Sequence, residues 1–259
     1  MLVAAALVPP TALLVPGASG ATPVLGVERA AAVAAATAVR AARPDVVVVV
    51  APGRDAGRHA VGRLHPSLAA SGLDDARLGW APRATYGRGP AVLVDDTAAA
   101  VGVLLLDRAG WTGPVELATV GMDDPAALQA TGARLVSGRS TGLLLVGGLS
   151  ARRGPDGPLE TDERAALVDD ATVSDLSDLG PAARARLAAV PPQLAVELAV
   201  SAWAPWQVLL GAIQASDGGA APEGGPTTAP AAPRVPTTVR HHVSAPFGAT
   251  YATFSWRWS

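Results

Sequence analysis

Apolar residues recur along the chain in runs and alternations that predict strands alternating with helices. Leu2–Val8 is a short apolar stretch typical of a strand, residues 27–42 are rich in alanine and favour a helix, and residues 46–50 are five consecutive valines. A valine run indicates a strand covered on both faces, as strands are in a parallel sheet. Strand, helix and strand in this order predict a βαβ unit with a right-handed crossover.

The same alternation continues further along the chain. Residues 97–108 favour a helix that Asp95 or Asp96 can cap, 115–120 a strand, 125–135 a helix and 143–146 a strand. Residues 52–90 are rich in glycine and lack periodicity, so we interpret them as a long loop. The repeated alternation predicts an α/β fold, a three-layer domain with a mainly parallel central sheet.

The C-terminal part has a different character. Three helical stretches are predicted near residues 162–172, 181–189 and 193–213, and residues 216–236 form a low-complexity loop or linker of Gly, Pro, Ala and Thr. The tail, residues 237–258, alternates like a strand pair that turns near Phe247 and Gly248 and returns its aromatic rings to the domain. These rings belong to Phe247, Tyr251, Phe254, Trp256 and Trp258.

Length and composition limit the class of protein. A chain of 259 residues suits one large domain or two small ones, and we interpret residues 1–259 as one. Hydrophobic residues make up 49% and charged residues 16%, which indicates a globular protein. The net charge of -2 offers no electrostatic reason to expect nucleic acid or an anionic membrane as partner. The absence of cysteine excludes disulfides, thiolate nucleophiles and thiolate metal sites.

The first fifteen residues are apolar, and a secretory signal is the alternative to a strand. They lack a positively charged start, Pro9 and Pro10 interrupt the run, and the stretch is too short for a membrane span. We therefore expect a buried first strand and a cytoplasmic protein.

Four segments resemble, in their order, the B-subunit-type domain of class III extradiol ring-cleaving dioxygenases, in particular an uncharacterised actinobacterial branch of that superfamily. The first is MLVAAALVP at 1–9 with LLVP at 13–16, and the second is APG at 51–53, after the valine run. The third is GGLSARR at 147–153. The fourth joins EL at 197–198 and WQVLLGA at 206–212 to APFGATY at 245–251. The match spans nearly the whole chain and implies a single α/β domain.

The resemblance implies ferrous, non-haem ring cleavage, in which two histidines and one carboxylate hold Fe(II) and a further histidine acts as acid and base. In this chain the first ligand position is Pro10 or Thr11, the second is Gly53 or Arg54, and the catalytic position is Ala151, directly after Ser150. The carboxylate position matches, as Glu197. One carboxylate holds Fe(II) weakly, because affinity comes from several ligands together. We therefore expect no catalysis, and Fe(II) as the cofactor only if the family activity survives.

Four histidines are available for a relocated metal site, at positions 59, 65, 241 and 242. His59 follows the second implied ligand position, although a surface-loop histidine is the simpler interpretation. His241 and His242 are adjacent on a predicted strand, so we expect them to point to opposite faces and only one, such as His242, to reach a site. Together with Glu197, His59 and a tail histidine would complete a new triad.

Other polar residues invite a functional interpretation beside a structural one. Ser150 ends a strand, but no Gly-x-Ser-x-Gly motif surrounds it, so a turn or capping role is favoured. Arg152 and Arg153 follow that strand, where open α/β sheets bind ligands, and can grip a carboxylate or phosphate or form a solvated basic loop. Glu197 lies either in the site or on the exposed face of its apolar helix.

The leading hypothesis is thus a divergent, non-catalytic relative of extradiol dioxygenases that binds a small molecule or a protein partner in the ancestral cleft. A working Fe(II) dioxygenase or related metalloenzyme with relocated ligands is the first alternative. A structural subunit of a larger complex is the second, and a homo-oligomer is compatible with each hypothesis.

Overall fold

The computed structural model describes residues 1–53, 56–85, 89–157, 159–218 and 233–259. The strands are β1 (Leu2–Val8), β2 (Val46–Pro52), β3 (His59–Val61), β4 (Arg63–Pro66), β5 (Ala91–Val94), β6 (Val115–Val120), β7 (Thr141–Val146), β8 (Thr237–Ser244) and β9 (Tyr251–Arg257). The helices are α1 (Gly26–Ala41), α2 (Thr97–Arg108), α3 (Pro125–Leu135), α4 (Arg164–Asp178), α5 (Pro181–Ala188), α6 (Pro192–Glu197) and α7 (Trp203–Gly218).

Seven of these strands form a central sheet in the order β3-β6-β2-β7-β1-β9-β8. Strands β6, β2, β7 and β1 are parallel, whereas β3 pairs antiparallel with β6, and β9 pairs antiparallel with both β1 and β8. Strands β4 and β5 form a separate parallel pair. The predicted α/β fold, with its mainly parallel sheet and two-stranded tail, is confirmed. The carboxyl ends of the four parallel strands lie along one side, called here the carboxyl end of the sheet.

Helices cover both faces of the sheet. Helices α1 and α2 pack on one face, and α3, α4, α5 and α7 pack on the other. Along β2, Val47 and Val49 face α1 and α2, while Val48 and Val50 face the opposite layer. All four are fully buried, so the valine run is a strand covered on both faces, as predicted.

The helices α3 and α7 touch backbone to backbone. A Cβ atom added at Gly132 would lie 1.9 Å from the carbonyl oxygen of Val208, and one added at Gly211 would lie 1.9 Å from that of Gln129. The side-chain amide of Gln129 donates a hydrogen bond of 2.9 Å to the side chain of Gln207 across this contact. The two glycines therefore fix how closely α7 approaches α3.

Two predictions about secondary structure are wrong. The single helix predicted over residues 193–213 is two helices, α6 and α7, because Ala199 has a left-handed backbone with φ of 53°. The stretch predicted to be a loop over residues 52–90 contains β3 and β4. Strands of three and four residues are too short to show a period of two.

The C-terminal aromatic residues follow the prediction in part. The side chains of Phe254, Trp256 and Trp258 are buried, and the rings of the first two stack at 5.7 Å. Phe247, at the turn, is 51% exposed, so the expectation that it packs on the domain is wrong. Of the low-complexity stretch 216–236, residues 219–232 lie outside the described residues.

The apolar N-terminal stretch is the buried strand β1, which pairs with β7 and β9. Within the described ranges, no helix is both long enough and apolar enough to cross a bilayer.

Candidate functional site

The connection between α6 and α7 covers the carboxyl end of β7. The amide of Ala151 donates to the carbonyl of Leu198 at 3.1 Å, and that of Ala202 donates to the carbonyl of Gly148 at 2.9 Å. A Cβ atom at Gly147 would lie 2.4 Å from the Cα atom of Ala202. Backbone therefore occupies the space beside Ala151, the position of the catalytic histidine implied by the resemblance.

Ser150 is a structural turn residue. It is fully buried; its hydroxyl accepts a hydrogen bond from the amide of Arg152, and its own amide donates to Asp169 at 3.0 Å. Thr250 donates to the other carboxylate oxygen of Asp169 at 2.5 Å. Burial raises the pKa of Asp169, although the hydrogen bonds from Thr250 and Ser150 and the charge of Arg153 oppose the increase. Nothing in the local sequence distinguishes buried Asp169 from its exposed neighbour, so sequence analysis missed it.

The two arginines after Ser150 make contacts within the protein. The guanidinium of Arg153 donates to Asp170 at 3.0 Å and lies 3.6 Å from Asp169. Arg152 donates to the carbonyl of Glu160 at 3.0 Å. That either residue binds a ligand stays a prediction.

The structure separates the three residues of the hypothetical relocated triad. Glu197 is about half exposed and pairs with Arg164 at 2.9 Å, so it lies on the exposed face of its helix. The imidazole Nε2 of His59 lies 2.9 Å from Glu116, and that of His242 lies 3.6 Å from Glu28. In the part of the chain that the structure describes, no three His, Asp or Glu side chains converge as metal ligands.

The ligand positions implied by the resemblance do not fit Fe(II) either. The hydroxyl of Thr11 accepts a hydrogen bond from the amide of Leu13 and caps a short turn. At Gly53, an added Cβ atom would lie 2.9 Å from the side chain of Thr119, so even an alanine requires a shift there. Arg54 lies outside the described residues. Across the described positions, the donor set required for Fe(II) is missing.

The tail histidines contradict the expectation that they point to opposite faces. A β-bulge between Arg240 and His242 adds one residue to β8 and shifts its register. His241 reaches Ser255 at 2.9 Å, and His242 reaches Glu28 of α1. Phe254 and Trp256 belong to the opposite core, so alternation along β9 puts Ser255 on the α1 face. Both imidazoles therefore lie on one face of the sheet.

A pocket of about 450 Å³ remains beside the covered end of β7. We call it the carboxyl-end pocket, because it lies where β2 and β6 end, below the α6–α7 connection. Met122 and Val196 form its rim, being 44% and 61% exposed, and Val120, Ala195 and Val200 are among its buried hydrophobic residues. Its lining residues are Pro52, Gly53, Val120, Gly121, Met122, Ala195, Val196, Ala199, Val200, Ser201 and Ala204.

The lining is apolar, and its one hydroxyl among the described residues is already engaged. Ser201 accepts a hydrogen bond of 2.9 Å from the amide of Gly148. No titratable side chain belongs to the described lining. The pocket thus offers surface for burying an apolar ligand and little for moving a proton or holding a cation.

Comparison with known proteins supports the architecture. No protein-family model and no curated protein sequence matches the chain. Among solved structures, the chain is similar to an uncharacterized protein from Escherichia coli K12, with a TM-score of 0.52 and 12% sequence identity. The alignment covers 98% of this chain and 99% of that protein. At this identity the similarity concerns the fold alone.

Proposed function

We propose that this protein is a divergent, non-catalytic member of the class III extradiol dioxygenase superfamily, of the B-subunit type, that binds a small apolar molecule in the carboxyl-end pocket. The observation that carries this proposal is the lining of that pocket, which among described residues is aliphatic or glycine except for Ser201. The order of the four sequence motifs supports the relationship. The location supports a binding role, since open α/β sheets bind ligands beyond the carboxyl ends of their strands.

The size and the apolar lining of the pocket favour a small molecule over a metal-centred reaction. A volume of about 450 Å³ falls within the usual range for small-molecule sites. Burying apolar ligand surface there contributes roughly 25 cal/mol for each Å² removed from water. Because the described ancestral positions do not fit Fe(II), the proposal contains no ring-cleavage step. It assigns the binding to the cytoplasm.

The proposal is tested with the uncharged fluorescent probe N-phenylnaphthylamine. We expect saturable binding at one site per chain. Val196→Trp fills the rim without disturbing the core, since Val196 is exposed, and should weaken binding at least tenfold. The matched control is Leu167→Trp, because Leu167 is 76% exposed and lies on α4, outside the lining.

Two results would contradict the binding role. One is a probe affinity that Val196→Trp leaves unchanged, and the other is an equal loss with Leu167→Trp. Metal analysis after anaerobic purification with added Fe(II) separates the alternatives. We expect less than stoichiometric iron and no ring-cleaved product from catechol. Stoichiometric iron with turnover would instead favour the metalloenzyme hypothesis.

A further inference from the structure

A second cavity, of about 510 Å³, lies between the edge of the sheet and α3. We call it the edge cavity. Ala118, Leu128 and Leu135 form its apolar wall, and its basic side chains are Arg58, His59, Arg134 and Arg139. Asp123 and Asp124 also line it. Except for Val120, its lining residues differ from those of the carboxyl-end pocket.

Glu116, which is 6% exposed, holds two of these basic side chains in place. The two terminal nitrogens of Arg139 each donate at 2.6 Å to a separate oxygen of Glu116, and His59 lies 2.9 Å from one of them. Burial alone would raise the pKa of Glu116, but the hydrogen bonds and charges of Arg139 and then His59 outweigh it and lower that pKa. This fixed pairing leaves further N–H groups of Arg139 available, because a guanidinium carries five.

Arg134 adds positive charge that no carboxylate in the described part of the chain balances. Its guanidinium donates to the hydroxyl of Thr131 at 2.9 Å, and among the described residues no Asp or Glu lies within ion-pair distance of it. Arg134 is the basic residue in the last turn of α3, and Arg139 precedes β7, so both lie toward the amino ends of the parallel strands. That end of the edge cavity therefore has donors in excess of acceptors.

The opposite end of the edge cavity has two aspartates and one arginine, because Arg58 lies beside Thr119 near the carboxyl end of β6. Asp124 caps α3 by accepting hydrogen bonds from the amides of Ala126 and Ala127, and Asp123 precedes it. Arg134 follows Asp124 by ten positions along α3, which separates the two ends by about 15 Å. Between them the wall is formed by Ala118, Leu128 and Leu135. An anionic group is therefore favoured at the end that holds Arg134 and Arg139, and apolar surface is favoured in the middle.

We propose that the edge cavity binds a small organic monocarboxylate. Its carboxylate lies against Arg134, Arg139 and the imidazole of His59, and its apolar part lies against Ala118 and Leu128. Charged hydrogen bonds to guanidinium groups supply the orientation, and burial of the apolar part distinguishes the ligand from an inorganic anion. The proposal does not rest on the function proposed for the carboxyl-end pocket.

The ligand arm of the test uses phenylpropionate as the probe, with phenylpropionamide as its uncharged match, measured by titration calorimetry. We expect saturable binding of the carboxylate at one site and at least tenfold weaker binding of the amide. Inorganic phosphate should bind at least tenfold more weakly than phenylpropionate. Equal binding of the amide, or phosphate binding as tight as phenylpropionate, would overturn the proposal.

The protein arm uses matched pairs of exposed residues. Arg134→Gln should weaken phenylpropionate binding at least fivefold, whereas Arg108→Gln should not, although Arg108 is likewise the basic residue in the last turn of its helix. Ala127→Trp should fill the edge cavity and abolish binding, whereas Ala126→Trp, on the same helix but outside the lining, should not. No difference within each pair would refute the site. N-phenylnaphthylamine binding should survive all four changes, which separates this proposal from the function proposed above.

Discussion

The carboxyl-end pocket and the edge cavity both contact β6, and Val120 lines both, yet their chemistry is opposite. The described lining of the first is aliphatic apart from Ser201, whereas the second gathers arginines, a histidine and two aspartates. In open α/β folds, ligands bind at the carboxyl end of the parallel strands. In this protein, therefore, the position that favours ligand binding and the charged side chains lie in different places.

The polar residues near the carboxyl end of the sheet already make hydrogen bonds within the protein. Asp169 binds the amide of Ser150 and the hydroxyl of Thr250, and Ser201 binds the amide of Gly148. Each of these contacts satisfies a group that burial would otherwise leave without a partner, at a cost of about 1–3 kcal/mol. At the edge cavity, by contrast, Glu116 pairs with Arg139 and His59, and further N–H groups of Arg139 remain beside the cavity.

The largest effect should come from the helix contact on which both cavities depend, since α3 lines one and α7 borders the other. Gly132→Ala puts a methyl group into the backbone of Val208, and overpacking of this kind should lower the free energy of unfolding by about 3 kcal/mol. Urea denaturation measures it. Gly26→Ala is the control, because an added Cβ atom meets nothing within 4 Å there. Equal stability of the two variants would show that α3 and α7 separate without cost.

The next effect concerns the ion pair beneath the edge cavity. Arg139→Met leaves the buried carboxylate of Glu116 with His59 as its remaining ion-pair partner. We expect a loss of about 2 kcal/mol, below the usual cost of breaking a buried pair because Arg139 is itself partly exposed. Glu116→Gln in the same chain should recover part of the loss, and a double-mutant cycle by urea denaturation measures the coupling.

The pH dependence of this variant has a definite sign. In the wild type the pKa of Glu116 is lowered from 4.5, so its contribution to stability is present above that value and is lost as pH falls through the folded-state pKa. Without Arg139, burial, which raises the pKa, is opposed by His59 alone, so the gain in stability as pH rises through 4.5 should be smaller than in the wild type. A gain as large as that of the wild type would contradict the assignment of Arg139 as the dominant partner.

A smaller effect is expected at the carboxyl end, from Asp169→Asn. The pKa of Asp169 is raised above 3.8, so this group stabilises the fold below 3.8 and the contribution is lost as pH rises through the folded-state pKa. Asparagine keeps an acceptor for Ser150, its amide group can donate to the Thr250 hydroxyl in place of the present bond, and the buried charge is removed. We therefore expect a gain at pH 7 of less than about 1 kcal/mol. Thermal unfolding at pH 7 and pH 3 measures it; a gain of equal size at both would contradict the role of ionisation.

The smallest effect should follow Glu197→Ala. Both partners of the ion pair with Arg164 are about half exposed, and exposed pairs contribute little. We expect an unchanged melting temperature, unchanged N-phenylnaphthylamine affinity and unchanged iron content. Loss of bound iron in this variant would restore the carboxylate role implied by the family resemblance.

Much of the fold was predictable because its long elements carry local signals. The helices α2 and α3 and the strand β6 have the predicted bounds, and the side chain of Asp96 caps α2 as one of the two expected residues. The break at Ala199 was not predictable, since alanine, leucine and valine on either side favour a continuous helix. Hydrogen bonds from the β7 turn to Leu198 impose it, and they join residues far apart in sequence.

The candidate sites were less predictable than the fold. Sequence analysis selected His59 and His242, but not their partners Glu116 and Glu28, because each pairing depends on strand register and helix placement. It also placed the tail histidines on opposite faces, which holds for a regular strand but not for one with a bulge.

The amino-acid sequence by itself determined the positions of the long strands and helices and the apolar character of both faces of the valine strand, because these depend on neighbouring residues alone. Tertiary structure decided which carboxylate each arginine or histidine side chain contacts and where the two cavities lie. Those outcomes depend on distances between residues that are remote along the chain. These distances are set by the close packing at the glycines of α3 and α7 and by the pairing register of β3 and β8.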